Sequence, residues 1–170
     1  TTGTNNVAVG ALALDANTSG FSLTAIGDNA LTANTTANYN TAVGRNALLV
    51  NTTGTHNTAL GTQTLASNTT SNNNTAVGMS ALAVNTGANN TAVGSFSLDA
   101  NTSGARNSAF GDAAGGSNTT GNDNAAFGSF ALTLNTTGAQ NTACGGYALN
   151  KTTTANANTA VGYLSLFENT

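Results

Sequence analysis

A tripeptide of Ala, an apolar residue and Gly recurs along this chain, ending at Gly10, Gly27, Gly44, Gly61, Gly78, Gly94, Gly111, Gly128, Gly145 and Gly162. Successive glycines are 17 residues apart, except for one interval of 16 between Gly78 and Gly94. A fixed period limits the chain to architectures in which each unit stacks on the next, because one short unit has too little apolar surface to fold alone. Seventeen residues are too few for a helix pair or a propeller blade, whose periods run from about 33 to 50. They suit one coil of a β-solenoid.

The unit is clearest over residues 40–56, which read Asn-Thr-Ala-Val-Gly-Arg-Asn-Ala-Leu-Leu-Val-Asn-Thr-Thr-Gly-Thr-His. Asn-Thr-Ala-Val-Gly is a strand followed by a breaker, and Asn-Thr-Thr-Gly supplies turn residues that accept left-handed backbone. The expected fold is all-β: a parallel β-solenoid, or β-roll, of ten 17-residue coils starting near residues 6, 23, 40, 57, 74, 90, 107, 124, 141 and 158. It occupies 1–170 as a single uncapped unit and reads as a segment of a longer fibre. Stacking at about 4.8 Å per rung gives a rod roughly 48 Å long. The short unit has lost one Thr of its Thr-Thr pair, which marks that stretch as a turn tolerant of length change.

Composition agrees with order achieved by repetition. The 170 residues include 28 Asn and 32 Thr, only nine charged side chains, no Pro and no Trp. An ordinary enzyme domain carries about a quarter charged residues. A disordered chain of low charge would lack the regularly spaced aliphatics.

In a stacked solenoid, residues one period apart lie over one another. All three cations stand one period from an acid: Asp28 with Arg45, Arg106 with Asp123, and Lys151 with Glu168. Phe110 and Phe127, and Phe130 and Tyr147, share the same spacing. These pairs predict in-register parallel coils, with opposite charges on neighbouring rungs.

Each position of coil 40–56 names a column of equivalent residues. The Val43 column (Val9, Ile26, Val43, Leu60, Val77, Val93, Phe110, Phe127, Cys144, Val161) and the Leu48 column (Leu14, Leu31, Leu48, Leu65, Leu82, Leu98, Leu132, Leu149, Leu166) are expected to share one interior. The seventh unit has Gly115 in place of its Leu and gains Phe110, which reads as volume compensation in a close-packed core. The Ala42 column (Ala8, Ala25, Ala42, Ala59, Ala76, Ala92, Ala109, Ala126, Ala143, Ala160) then lines the other side of the strand. Its unvarying smallness predicts close approach by another body, such as a second copy. Asn40, Asn57 and Asn74, and Asn51, Asn68 and Asn85, are expected to form amide ladders between rungs.

The residues of an active site are absent from this pattern. Asp15 and Asp99 share a column but stand five coils apart, roughly 24 Å at strand spacing. His56, the single His, reads as a solvated turn residue. Cys144 reads as a small apolar member of the Val43 column. No catalytic, cofactor-binding or metal-binding residue is expected: no Gly-rich loop carries the Lys of a phosphate site, and most units lack the Asp of calcium-binding repeats. Three basic residues argue against nucleic acid. Apolar runs far shorter than roughly 18 residues argue against membrane insertion.

Thr18, Thr35, Thr52, Thr69, Thr86, Thr102, Thr119, Thr136, Thr153 and Thr170 form a further column. Regular Thr arrays resemble those of ice-binding proteins. Adjacent members of the Thr-Thr pair point to opposite sides, however, which fits turn and ladder chemistry better. Glycosylation sequons at Asn17, Asn34, Asn51, Asn68, Asn101, Asn118 and Asn135 follow from the Asn-Thr-Thr ladder itself.

The unit Asn-Thr-Ala-Val-Gly-x-x-Ala-Leu-x-x-Asn-Thr-Thr-Gly resembles repeats of phage tail-fibre and other fibre-like surface proteins. More distantly, it is similar to the Asn-Ser-Val-Ala-Ile-Gly repeats of trimeric autotransporter adhesin heads. The resemblance spans the whole chain and implies a parallel β-roll, commonly trimeric, displayed outside the cell or on a virion. The expected function is therefore non-enzymatic: the rigid shaft of an extracellular fibre, filament or adhesin, self-assembling by rung stacking or lateral packing. Its expected partners are further copies, as a homotrimer or an end-to-end filament, and a cell-surface or glycan receptor. The alternative is a surface-binding module, ice-binding or carbohydrate-binding, that uses the Thr and Asn ladders.

Overall fold

Thr, Val and Ile favour extended backbone, and in each unit the glycine after Val43 or its equivalent cuts the extended run short. In the computed structural model of the protein, which describes residues 2–169, the triplets form ten three-residue strands. They are β1 (Val7–Val9), β2 (Thr24–Ile26), β3 (Thr41–Val43), β4 (Thr58–Leu60), β5 (Thr75–Val77), β6 (Thr91–Val93), β7 (Ser108–Phe110), β8 (Ala125–Phe127), β9 (Thr142–Cys144) and β10 (Thr159–Val161). They make one sheet in chain order. Neighbours are parallel and one period apart, as in Thr41 opposite Thr58, Ala42 opposite Ala59 and Val43 opposite Leu60. At the short coil the offset drops to 16, with Thr75 opposite Thr91.

Parallel strands that are neighbours both in sequence and in space need a connection that returns to the starting edge. No helix supplies it among the described residues. Instead the chain winds round a full coil, and backbone bonds run from coil to coil outside the strands too. Leu48 N–H donates to Thr64 O at 3.0 Å, and Asn46 N–H to Asp28 O at 2.9 Å. The fold is therefore an all-β parallel solenoid.

Tight corners are made by left-handed backbone. In coil 40–56 they fall at Gly44 (φ 133°), Asn46 (φ 60°), Leu48 (φ 50°) and His56 (φ 58°), and the pattern recurs along the chain. Glycine is obligatory at the first corner, because a Cβ on Gly61 would stand 2.6 Å from the carbonyl oxygen of Gly78 in the next coil. Leucine at the third is an unusual choice. Left-handed backbone costs a non-glycine residue about 1–2 kcal/mol, while complete burial of Leu returns about 1.5–3 kcal/mol. Burial wins, and Leu31, Leu48, Leu65, Leu82, Leu132 and Leu149 are almost wholly enclosed.

The interior differs from the sequence expectation in which face of the strand turns inward. Ala25, Ala42, Ala59, Ala76 and their equivalents are buried beside the leucines. The Val43 column faces outward: Val9, Ile26, Leu60, Phe110, Phe127, Cys144 and Val161 are exposed, and Val43, Val77 and Val93 are half-buried. The physical reason is the size of the cross-section. Each coil encloses little more than Asn40, Ala42, Ala47, Leu48, Asn51 and Gly54 or their equivalents, and a second large aliphatic enters only where Leu23 takes the place of the amide in the Asn40 column. The close approach that keeps the Ala42 column small comes from the coil's own opposite wall. In the outermost coils the enclosure is looser, with Ala8 exposed, Leu14 half-buried and Leu166 exposed.

Volume compensation by Phe110 is corrected for the same reason. Phe110 and Phe127 stack on each other outside the sheet with ring centroids 5.1 Å apart. The space left at Gly115 is taken by Leu98 of the preceding coil, whose Cδ2 would lie 2.9 Å from a Cβ built there.

Two substitutions separate strain from burial. Gln63→Gly, at an exposed left-handed corner (φ 58°), relieves strain and is expected to raise unfolding free energy by up to about 1 kcal/mol. Leu65→Gly gains the same relief but loses its burial, for a net loss of about 1–3 kcal/mol. Urea unfolding of both variants measures the difference, and equal effects would contradict this account.

Candidate functional site

The most elaborate chemistry in the molecule is its buried amide ladder. The turn residue at Gly54 directs its carbonyl inward, and that oxygen accepts from Asn40 Nδ2 at 2.7 Å and from Asn51 Nδ2 at 2.9 Å. Both amides also join coils. Asn57 N–H donates to Asn40 Oδ1 at 2.8 Å, and Asn68 Nδ2 donates to Asn51 Oδ1 at 2.9 Å. The arrangement repeats: Gly104 O receives Asn90 and Asn101, and Gly121 O receives Asn107 and Asn118. Two columns of asparagine thus clamp one backbone oxygen per coil and tie each coil to its neighbours.

The ladder breaks where the sequence departs from the unit. In the short coil Asn85 Nδ2 turns to Gly87 O at 2.7 Å, leaving the buried Asn68 Oδ1 without a partner. In the ninth coil Thr152 replaces the asparagine and has no amide to donate, so Asn135 Oδ1 is also left unpaired.

A third set of amides escaped the sequence reading. Asn38, Asn72, Asn122 and Asn156 each accept the backbone N–H of the residue one coil earlier, those of Phe21, Thr55, Ala105 and Ala139. The signal was available, because asparagine at that position follows a coil that lacks it.

The remaining singled-out residues lie outside the core. Arg106 meets Asp123 with two bonds, Nε to Oδ1 at 2.7 Å and Nη2 to Oδ2 at 2.9 Å. Lys151 Nζ lies 2.6 Å from Glu168 Oε1, and Arg45 Nε lies 3.6 Å from Asp28 Oδ2. His56 is exposed, stacked on Tyr39 at 4.8 Å, with Nδ1 3.1 Å from Thr55 Oγ1. Cys144 is an exposed free thiol, which corrects its placement in the interior. Phe130 and Tyr147 stack at 5.0 Å.

Most hydroxyls of the Thr52 column bond to the next coil: Thr52 Oγ1 donates to Thr69 O at 3.2 Å, and Thr102 Oγ1 to Thr119 O at 2.9 Å, while Thr69 and Thr153 are exposed. Thr170 of that column lies outside the described residues. Sequon asparagines Asn34, Asn51, Asn68, Asn101, Asn118 and Asn135 are buried in the ladder, and Asn17 is half-buried. By contrast, Thr24, Thr41, Thr58, Thr75 and Thr91 stand outward on the strands, and their hydroxyls have no partner among the described residues.

No cavity opens among the described residues. No group of three or more His, Cys, Asp or Glu side chains gathers there in a way that could hold a metal ion. Among the described residues no helix is long and apolar enough to cross a membrane. What the geometry defines is a class: a parallel β-solenoid of 17-residue coils with an asparagine-laddered interior. No protein-family model, curated protein or solved structure matches the chain.

The ladder's defects make it testable. Thr152→Asn supplies the missing donor to Asn135 Oδ1 and is expected to raise stability by about 1 kcal/mol. Asn118→Ala removes partners from Gly121 O, Asn101 Oδ1 and Asn135 Nδ2, and is expected to cost about 2–4 kcal/mol. Chemical denaturation decides both, and a neutral Asn118→Ala would sink the clamp.

The acids differ in titration. The hydrogen bond from Arg106 holds the Asp123 carboxyl below the usual carboxylate range, so its contribution to stability is present at neutral pH and lost as pH falls through that lowered value. Burial pushes Asp99 up, so its ionisation works against the fold as pH rises through the carboxylate range. In a carboxyl-carbon NMR titration, Asp99 is expected to take up its proton before Asp123 as the solution is acidified. Arg106→Ala should bring Asp123 back toward the ordinary range.

Proposed function

We propose that this chain is a non-enzymatic structural element, the rigid shaft of an extracellular or virion-borne fibre, filament or adhesin. The observation that carries the reading is the in-register ladder itself. Ten rungs repeat one cross-section, and the buried Asn and backbone bonds run along the axis from coil to coil. Such bonding resists extension and leaves few slack segments for a protease to enter. The resemblance of the repeats to phage tail-fibre and surface-fibre proteins supports the same function, with further copies of the chain as partners, as a homotrimer or end-to-end filament. The variable exposed columns, which carry His56, Tyr39 and the three charge pairs, are where receptor recognition would be written.

A shaft adds length without changing its design. Duplicating four complete coils is expected to lengthen the particle by about 19 Å in small-angle scattering at unchanged cross-section, with stability equal or higher. A longer chain that scatters as a thicker or partly unfolded particle would defeat the shaft reading.

The second reading, a surface-binding module for ice or carbohydrate, draws support from the outward Thr41 column, whose hydroxyls have no protein partner among the described residues. Most of the Thr52 column and the Asn columns are engaged within the protein. Thermal hysteresis and ice shaping by the purified protein test it, and the shaft reading expects neither.

A further inference from the structure

The outward face of β1–β10 is built from two columns, those of Thr41 and Val43. Across its 20 positions there is no charged residue, and all nine charges of the chain stand in other columns. The Val43 column is apolar in every coil, and its members include Val9 at 58% exposure, Leu60 at 36% and Phe127 at 42%. A continuous apolar strip over ten rungs is uncommon on a protein that remains alone in water.

From this rests a deepening of the shaft reading: we infer that this sheet face packs against the same face of a second copy of the chain. The face is of the size an interface needs: its exposed members, among them Val9 at 58%, Phe110 at 38% and Val161 at 71%, run along ten rungs, about 48 Å at strand spacing, and a stable interface of standard size buries about 800 Å² per partner. Charge is excluded from the face that would be desolvated, while the ion pairs Arg106–Asp123 and Lys151–Glu168 stay exposed in other columns. Sheet faces pack about 10 Å apart with side chains interdigitated, and outward Val, Ile, Leu and Phe beside Thr suit that spacing.

Composition favours a protein occupant over an ordered lattice. Phe110 and Phe127 project from the seventh and eighth rungs, and Ala125 interrupts the hydroxyl column beside them. A rigid crystalline surface would be held off by the two rings, whereas the side chains of a second copy can repack around them. Because both copies present the same patch, the contact is isologous.

Sedimentation of the whole chain at micromolar concentrations tests the inference. The expected result is a dimer that Val77→Lys weakens by about 100-fold or more, as like charges meet across the contact. Val84→Lys, in the same coil but exposed in another column, should sediment like the unmodified chain. Circular dichroism and the melting temperature establish that each variant is folded, and Thr75→Lys on the same face serves if Val77→Lys is not. A monomer throughout this range overturns the proposal, as does equal behaviour of the Val77 and Val84 variants. So does a monomer that shapes ice, which would assign the face to ordered water. A monomer that still lengthens on coil duplication overturns this inference alone and leaves the shaft reading standing.

Discussion

Every coil turns one backbone carbonyl, that of Gly54 or its equivalent, into a closed interior, and most of the cross-section follows from satisfying it. An unpaired buried carbonyl costs about 1–3 kcal/mol, repeated in coil after coil. The two asparagines that reach it at 2.7 and 2.9 Å in coil 40–56 must themselves be buried. Their oxygens are then satisfied by the neighbouring coil. Little room remains once two amides and a turn have entered the core. The facing strand residue must be alanine, the corner must be alanine or another small residue, and one leucine fills what is left. That leucine accepts a left-handed backbone to reach its place.

Much of this was legible in the sequence, and one inversion was not. The period fixed the coil, and the matched charges fixed the register: Arg106 does meet Asp123 one rung on. Which side of Thr-Ala-Val faces inward runs against the general preference, by which the larger apolar residue is the buried one. A better criterion lay in the same columns. An interior shared by near-identical rungs has little freedom of volume, so its columns vary less than those outside. The Ala42 column is uniform, while the Val43 column admits Val, Ile, Leu, Phe and Cys. Variation in size was the mark of the outside. Left-handed backbone at Leu48 had no local signal, because leucine is not a residue that turns select; only packing places it there.

Departures from the unit show which columns the fold defends. The residue missing from the short coil belongs to the outward column of Thr53, and β5 and β6 still pair residue for residue across the gap. The cost falls on the buried ladder, where Asn68 Oδ1 loses its donor. Gly115 exchanges leucine burial for relaxed backbone, and Leu98 leans into the vacancy. Leu23, which stands in the Asn40 column, is buried where its equivalents are amides. Each irregularity is absorbed by one adjacent coil, as expected when a structure is held by nearest-neighbour contacts.

The same economy explains why the outer sheet face matters. In most proteins a sheet buries its larger apolar residues and shows water its smaller or polar ones. Here the interior has no room for them, so valine, isoleucine, leucine and phenylalanine stand outward in single file. A coil whose principal inward aliphatic is one leucine has modest hydrophobic stabilisation of its own, about 1.5–3 kcal/mol from that residue. A solenoid of this cross-section would gain most by covering the Val43 column, which is apolar in every coil and turned outward. Its charges, few and kept in other columns, are placed as they would be if that strip were not the final surface.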